Sequence, residues 1–138
     1  MTENRFSGRC FCGAITFEVE GPVLYSCFCH CESCRRASGG ACVPWATFHR
    51  ERLQLTRGRL REHQSSPGVT RGHCADCGTS LTYEHVDRAG QVDIAVVAFE
   101  DPAAFEPVSH IWVEDQLGSV RLCDGLPRYT KTAGTAQA

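Results

Sequence analysis

Residues 26–36, SCFCHCESCRR, put Cys27, Cys29, Cys31 and Cys34 into a single short run with His30 in its middle and Arg35 and Arg36 behind it. Two other groups accompany it: Cys10 and Cys12 in GRCFCG, and Cys74 and Cys77 in HCADCG. Thiols this dense can cross-link, close a structural metal site, or hold a metal that stays partly open for chemistry. Zinc binds thiolates at about 2.3 Å, so two ligands of one tetrahedron carry sulfurs roughly 3.8 Å apart. A C-x-C pair on an extended segment points both side chains to one face, within reach of one ion. A C-x-x-C pair with a glycine behind it makes a knuckle turn. Both spacings suit chelation, and three such groups in one chain are a strong signal.

Two partitions of the ligands are open. In one, Cys10, Cys12, Cys74 and Cys77 form a closed four-thiolate site, and Cys29, Cys31 and Cys34 form a second site with its fourth position free. A closed tetrahedron is structural, whereas three protein ligands and a replaceable one is the arrangement catalytic zinc uses. In the other, Cys27 or His30 completes the second set and both sites are structural. The first is preferred, because C-x-C-x-x-C supplies three ligands with no clear fourth. Cys27 is then a core thiol, and His30 faces the opposite side of an extended segment from its cysteine neighbours. Cys42 and Cys123 stand alone in apolar surroundings, as small buried side chains do.

Around these groups, Arg35 or Arg36 can offset thiolate charge or clamp a substrate carboxylate, or simply end a helix in solvent. Ser65, Ser66 and Arg71 precede the Cys74 knuckle, where hydroxyls and a guanidinium can bind a peptide-like ligand, although turn chemistry alone also explains the serines. His73 packs beside the knuckle. His110 and Trp112 alternate around Ile111, and Trp45 and Phe48 lie in an apolar run; strand-core packing is the expected role of all four.

The elements that must position these residues read mainly as strands. Ile15, Phe17 and Val19 alternate with Thr16, Glu18 and Glu20, the period of a half-buried strand. VLYSC runs from a second strand into the central cluster, and ESCRRAS suits one helical turn closed by Gly39 and Gly40. Further strands are expected at ACVPWATF, LQLT, RLREH, VTRGH, SLTYEH, VDIAVVAF and HIWVED, with turns at Gly58, residues 65–68 and residues 89–90. No helical period is sustained. The expected architecture is one mainly antiparallel β domain over residues 1–128 with zinc knuckles, followed by a small polar tail, 129–138, without order.

Composition narrows the function classes. The chain has 138 residues, enough for one domain, and a formal net charge of −2, which suggests neither a nucleic-acid nor a membrane partner. Its basic residues are thirteen arginines and one lysine, Lys131. Ten cysteines exceed ordinary usage. MTENRFSGRC lacks the apolar run of an export signal, and no stretch approaches the ~18 apolar residues of a membrane span. A cytoplasmic location is therefore expected, where thiols stay reduced and clustered cysteines are metal ligands rather than disulfides.

The segments GRCFCGAITFEVEG, CHCESCRRASGG, SSPGVTRGHCADCGTSLTYE and DPAAFEPVSHIWVED together resemble the glutathione-dependent formaldehyde-activating enzyme (GFA) family, also called the centromere protein V-like domain. The resemblance covers residues 8–128 and rests on the set of motifs, since any one alone is weak. It implies a β-tent fold of antiparallel sheets around a structural zinc held by Cys10, Cys12, Cys74 and Cys77, with a second zinc on Cys29, Cys31 and Cys34. Two zincs per chain follow, the second of them labile. The reaction implied joins formaldehyde to glutathione to give S-(hydroxymethyl)glutathione, carbon–sulfur lyase chemistry with a small thiol and a small aldehyde as partners. Arg35, Arg36, Ser66 and Arg71 are the candidate contacts to the thiol substrate. The competing expectation is a non-catalytic, zinc-stabilised module that binds glutathione, another small thiol or a protein.

Overall fold

The computed structural model describes residues 4–137. Ten strands and one helix follow one another along the chain: β1 (Arg5–Arg9), β2 (Thr16–Glu20), β3 (Tyr25–Cys29), α1 (Glu32–Ser38), β4 (Val43–His49), β5 (Leu53–Arg57), β6 (Arg61–Ser66), β7 (Val69–His73), β8 (Ser80–His85), β9 (Gln91–Ala95) and β10 (His110–Ile111). They form a three-stranded sheet, β1-β2-β5, and a seven-stranded sheet, β10-β3-β4-β9-β8-β7-β6. All pairings are antiparallel except β10 with β3, which is parallel. The mainly β expectation holds, and α1 is two turns long rather than one.

The alternation of side chains along β4 and β9 divides the molecule. Ala46 and Phe48 of β4, with Val92 and Ile94 of β9, point into a core shared with Phe17 and Val19 of the small sheet. The intervening residues, Val43, Trp45 and Ala95, belong to a second cluster on the other face, with Cys27, Cys29 and Cys34. Period-two geometry thus gives one sheet two different interiors. The first is a dense aromatic core: Phe99 and Phe105 have ring centroids 4.3 Å apart, and Phe6 lies 4.8 Å from Phe105. Pairs of this kind add about 0.5–1.5 kcal/mol each beyond the area they bury.

The edge of the large sheet is sealed by the end of the chain. The stretch past residue 128, read from sequence as a loose tail, returns to β10 over its first residues: Tyr129 N donates to His110 O at 2.9 Å and Trp112 N to Lys131 O at 2.9 Å. HIWVED is not the regular strand expected. It pairs only over His110 and Ile111, because Trp112 adopts φ +55°, a left-handed conformation that ends the alternation and turns the chain into a short 3-10 segment. Of the isolated cysteines expected to be buried, Cys42 is half-buried and Cys123 exposed, the latter in an irregular stretch with no strand to cover it.

Candidate functional site

Two hairpin-like knuckles bring the first cysteine group together. Cys10 and Cys12 follow β1, and Cys74 and Cys77 follow β7. The sulfurs of Cys10 and Cys12 lie 3.7 Å apart, those of Cys12 and Cys74 3.8 Å apart, and all four fall within 4.8 Å of one another. Those separations match what one tetrahedral ion requires. The Cys74 knuckle closes through Gly78, whose φ of +79° suits glycine and whose N–H donates to Cys74 O at 2.9 Å. Thr79 staples the two knuckles: its hydroxyl oxygen accepts from Phe11 N at 2.9 Å and the hydroxyl donates to Cys77 Sγ at 3.1 Å. That side-chain hydrogen bond is the main reason the Cys77 thiol is pulled down, to about 5.

The second group comes from one continuous turn. Cys29 ends β3, Cys31 is the N-cap of α1, and Cys34 lies in its first turn; their sulfurs also fall within 4.8 Å of one another. The cap is made by sulfur: Cys34 N donates to Cys31 Sγ at 3.2 Å. The helix stops at Gly39, φ +78°, whose N–H returns to Arg35 O. Hydrogen bonds from Cys29 and Cys31, joined by the charge of Arg71, hold the Cys34 thiol well below its ordinary value.

Cys27 and His30, the possible fourth ligands, stand outside this group. Burial, and then the charge of Asp93, push the Cys27 thiol up to about 12, so it stays a neutral thiol. His30 is fully buried and turned the other way: its Nε2 meets Nδ1 of His110 at 2.9 Å, and His110 Nε2 meets Asp124 Oδ2 at 2.8 Å. Burial holds the His30 imidazole down, to about 4, followed by the influence of His110. Nothing in the local sequence signals this chain of side chains, because its members become neighbours only when β10 pairs with β3.

Arg71 links the three-thiol cluster to a cavity. Its side chain is 4% exposed. Nη2 donates to Cys34 Sγ at 3.6 Å, Nε donates to Ser65 Oγ at 3.0 Å, and the guanidinium lies 4.9 Å from the Tyr83 ring centroid. Nη1 is buried and finds no partner among the described residues. The cavity measures about 480 Å³, and Cys29, Cys31 and Cys34 form part of its wall with Arg71 and Ser66. Trp45, Tyr83, Val69, Ile111 and Trp112 add apolar surface, and Tyr25, Ser33, Thr47, His85, Asp87, Arg88, Asp93 and Thr132 add polar groups. Also in the wall, Asp93 is fully engaged, accepting from Thr47 Oγ1 at 2.6 Å and from both terminal nitrogens of Arg88 at 2.7 and 3.2 Å. Arg35 and Arg36 are not in this wall: Arg35 Nε donates to His30 O, and Arg36 pairs with Glu32 on the helix surface.

The two clusters contain thiols only, at spacings that suit a borderline-soft ion, and so are consistent with zinc knuckles. All ten cysteines are free thiols, as ligation requires. No helix among the described residues is long and apolar enough to cross a membrane. The fold and site therefore define a two-sheet β protein with two cysteine clusters able to hold metal ions, one of them facing a cavity. The family model described as glutathione-dependent formaldehyde-activating enzyme (GFA) matches residues 5–115, and the chain belongs to that family. The structure is similar to the crystal structure of a Rhodobacter sphaeroides protein, 26% identical, with a TM-score of 0.58, covering 68% of this chain and 87% of that one. None of the curated proteins is a significant match.

Proposed function

We propose that the protein is a cytoplasmic, zinc-dependent enzyme of GFA type, acting by carbon–sulfur lyase chemistry on the adduct of a small thiol and a small aldehyde, of which S-(hydroxymethyl)glutathione is the family's example. The observation that carries this reading is the placement of Cys29, Cys31 and Cys34 in the wall of a cavity of about 480 Å³, to which Cys10, Cys12, Cys74 and Cys77 contribute nothing. Cys29, Cys31 and Cys34 hold the working zinc and the other four hold a structural one. A zinc ion with three protein ligands lowers the pKa of a substrate thiol and stabilises it as thiolate.

The residues around the cluster tune that task. Three thiolates and Zn²⁺ sum to −1, and a substrate thiolate makes the site −2, which favours thiol capture over strong carbonyl activation. The buried charge of Arg71, 3.6 Å from Cys34 Sγ, offsets part of it. Arg71 and Ser66 are the assigned substrate contacts. In the cleavage direction the adduct's hydroxyl proton is lost, the C=O double bond forms as the C–S bond breaks, and the sulfur leaves as thiolate; synthesis is the reverse. Trp45, Tyr83 and Trp112 in the wall would limit competing exchange of the adduct with solvent.

Two measurements test the reading. Native mass spectrometry of the reduced protein, before and after mild chelation, should find two zincs, one of them easily removed. Exchange of formaldehyde with glutathione, followed by NMR, should then exceed the uncatalysed rate and fall to background when the labile zinc is removed. Two equally resistant zincs and a background rate would leave a zinc-stabilised binding module in its place.

A further inference from the structure

The cavity has a mouth as well as a thiol cluster, and the chain's last stretch helps to form it. Four of the residues that line the cavity are nonetheless exposed: Ser33 on α1, Asp87 after β8, and Thr132 and Ala133. A residue that lines a cavity and also meets bulk solvent stands at the opening, so these four mark the rim. Cys29 and Cys34, both buried, lie further in. Thr132 and Ala133 fall outside residues 5–115, the stretch that carries the family.

Backbone pairing fixes where that part of the rim stands. Ile111 of β10 is level with Cys29 of β3. On the other side of β10, Tyr129 N donates to His110 O and Trp112 N to Lys131 O, each at 2.9 Å. Residues 129–131 are therefore a third line of backbone beside β3 and β10. Two inter-strand spacings put it roughly 10 Å from the backbone of Cys29. Beyond Lys131 this strap turns back on itself. Thr130 N donates to Ala136 O at 2.8 Å, Lys131 N to Thr135 Oγ1 at 3.0 Å, and the Thr135 hydroxyl to Thr132 O at 2.7 Å. Gly134 makes the bend with a φ of +90°. The tip, residues 132–134, reads Thr-Ala-Gly, so it edges the mouth with small side chains and does not fill it.

Distance then sorts ligands. A thiol held at the cluster by its sulfur and carrying only two carbons ends well short of the strap. A thiol whose body is several bonds long has to extend toward the rim. Resting on the thiol-capture reading above, we infer that Thr132 and Ala133 are the selectivity element of the site: they set how large a body a captured thiol can carry, and their small side chains admit one of glutathione's length. The determinant is the width of the mouth and not its charge, since Asp87 is the one ionisable residue of the four on the rim.

The test uses the full-length protein with Co²⁺ in place of zinc, whose thiolate-to-metal absorption reports sulfur ligation directly and independently of turnover. 2-Mercaptoethanol and glutathione are titrated into the parent, Ala133→Trp and Ala136→Trp. Ala133 is exposed, so an indole there needs no room in either core. Ala136 is exposed on the same strap but does not line the cavity, so it carries the same ring away from the mouth. In Ala133→Trp, glutathione affinity should fall at least about 10-fold, a modest steric penalty. Binding of 2-mercaptoethanol to that variant, and of both thiols to Ala136→Trp, should stay within about twofold, the range of an ordinary surface substitution. Unchanged glutathione binding in Ala133→Trp, equal loss of both thiols there, or equal loss of glutathione in the two variants overturns the inference and leaves thiol capture intact. Glutathione that leaves the parent's spectrum unchanged where 2-mercaptoethanol alters it overturns the claim that the mouth admits such a body. If neither thiol alters the parent's spectrum, thiol capture itself fails, and this inference with it.

Discussion

The two cysteine clusters use the same ligand in opposite topologies. Cys12 and Cys74, 3.8 Å apart in space, are 62 residues apart in sequence, and the knuckles that carry them open onto the aromatic core between the sheets. Cys29, Cys31 and Cys34 lie on one uninterrupted turn, on the other face of the large sheet, beside open space. An ion shared between distant segments closes a long loop and removes much of the unfolded chain's freedom. An ion held by one turn closes almost none. The difference teaches that the number of thiols in a cluster says less about its role than what the thiols connect and what they face.

That contrast is broken most directly by exchanging one ligand in each cluster. Cys77→Ser should prevent folding, because structural zinc supplies folding free energy on the order of 10 kcal/mol, comparable with the whole stability of a domain. Far-UV circular dichroism and thermal melts should show no cooperative transition. Cys34→Ser should keep a cooperative melt within a few degrees of the parent, since a change of about 1 kcal/mol moves Tm by ~4 °C in a domain of this size, and should lose its second zinc. If the two variants melt alike, the assignment of one cluster to fold and the other to function is wrong.

A smaller effect sharpens the comparison at the level of the sheet. Phe48 and Trp45 are both almost fully buried on β4 but face the two different interiors. Phe48→Ala leaves a void among Phe6, Phe99 and Phe105 and should cost about 3–5 kcal/mol, as large-to-small changes in dense cores do. Trp45→Ala enlarges a space that is already open, so its cost in urea unfolding should be the lesser of the two. Equal losses would mean that the cavity wall is packed as tightly as the core.

How much of this was legible in the sequence follows from the range of each signal. The cysteine clusters were readable because C-x-C and C-x-x-C-G are local, and the strands through Phe17, Trp45 and Ile94 because alternation is local. β1 was not: Arg5–Arg9 buries little besides Gly8 and is made a strand by its pairing with β2. Ser66 and Arg71 stood out near a knuckle and do line the cavity, whereas Arg35 and Arg36, singled out because they follow Cys34, face away from it. Tyr83, Arg88 and Asp93 were invisible as site residues, since a cavity wall is assembled from β3, β4, β8 and β9 and leaves no mark in any one of them. Cys27 faces the cavity as well as being buried, a distinction that adjacency to Cys29 does not reveal.

The smallest expected effect concerns what steadies the three-thiol turn. His30 sits between two of its cysteines, and the chain His30–His110–Asp124 ties that turn to the last strand, alongside the bond from His30 N to Ile111 O at 3.0 Å. The hydrogen bond from His110 holds the Asp124 carboxyl below its ordinary value of 3.8. A carboxylate depressed in the folded state contributes stability that is present above its unfolded pKa and lost as pH falls through the folded one. Asp124→Asn removes that linkage. The parent should therefore exceed the variant in urea midpoint at neutral pH, and the gap should begin to close as the pH falls toward about 4. Hydrogen exchange at neutral pH locates the effect: the amides of residues 29–31 should exchange faster in the variant, while those of residues 74–79 should not change. A gap that persists unchanged into acid, or faster exchange at both clusters, would mean that Asp124 acts on the whole fold and not on the turn that carries Cys29 and Cys31.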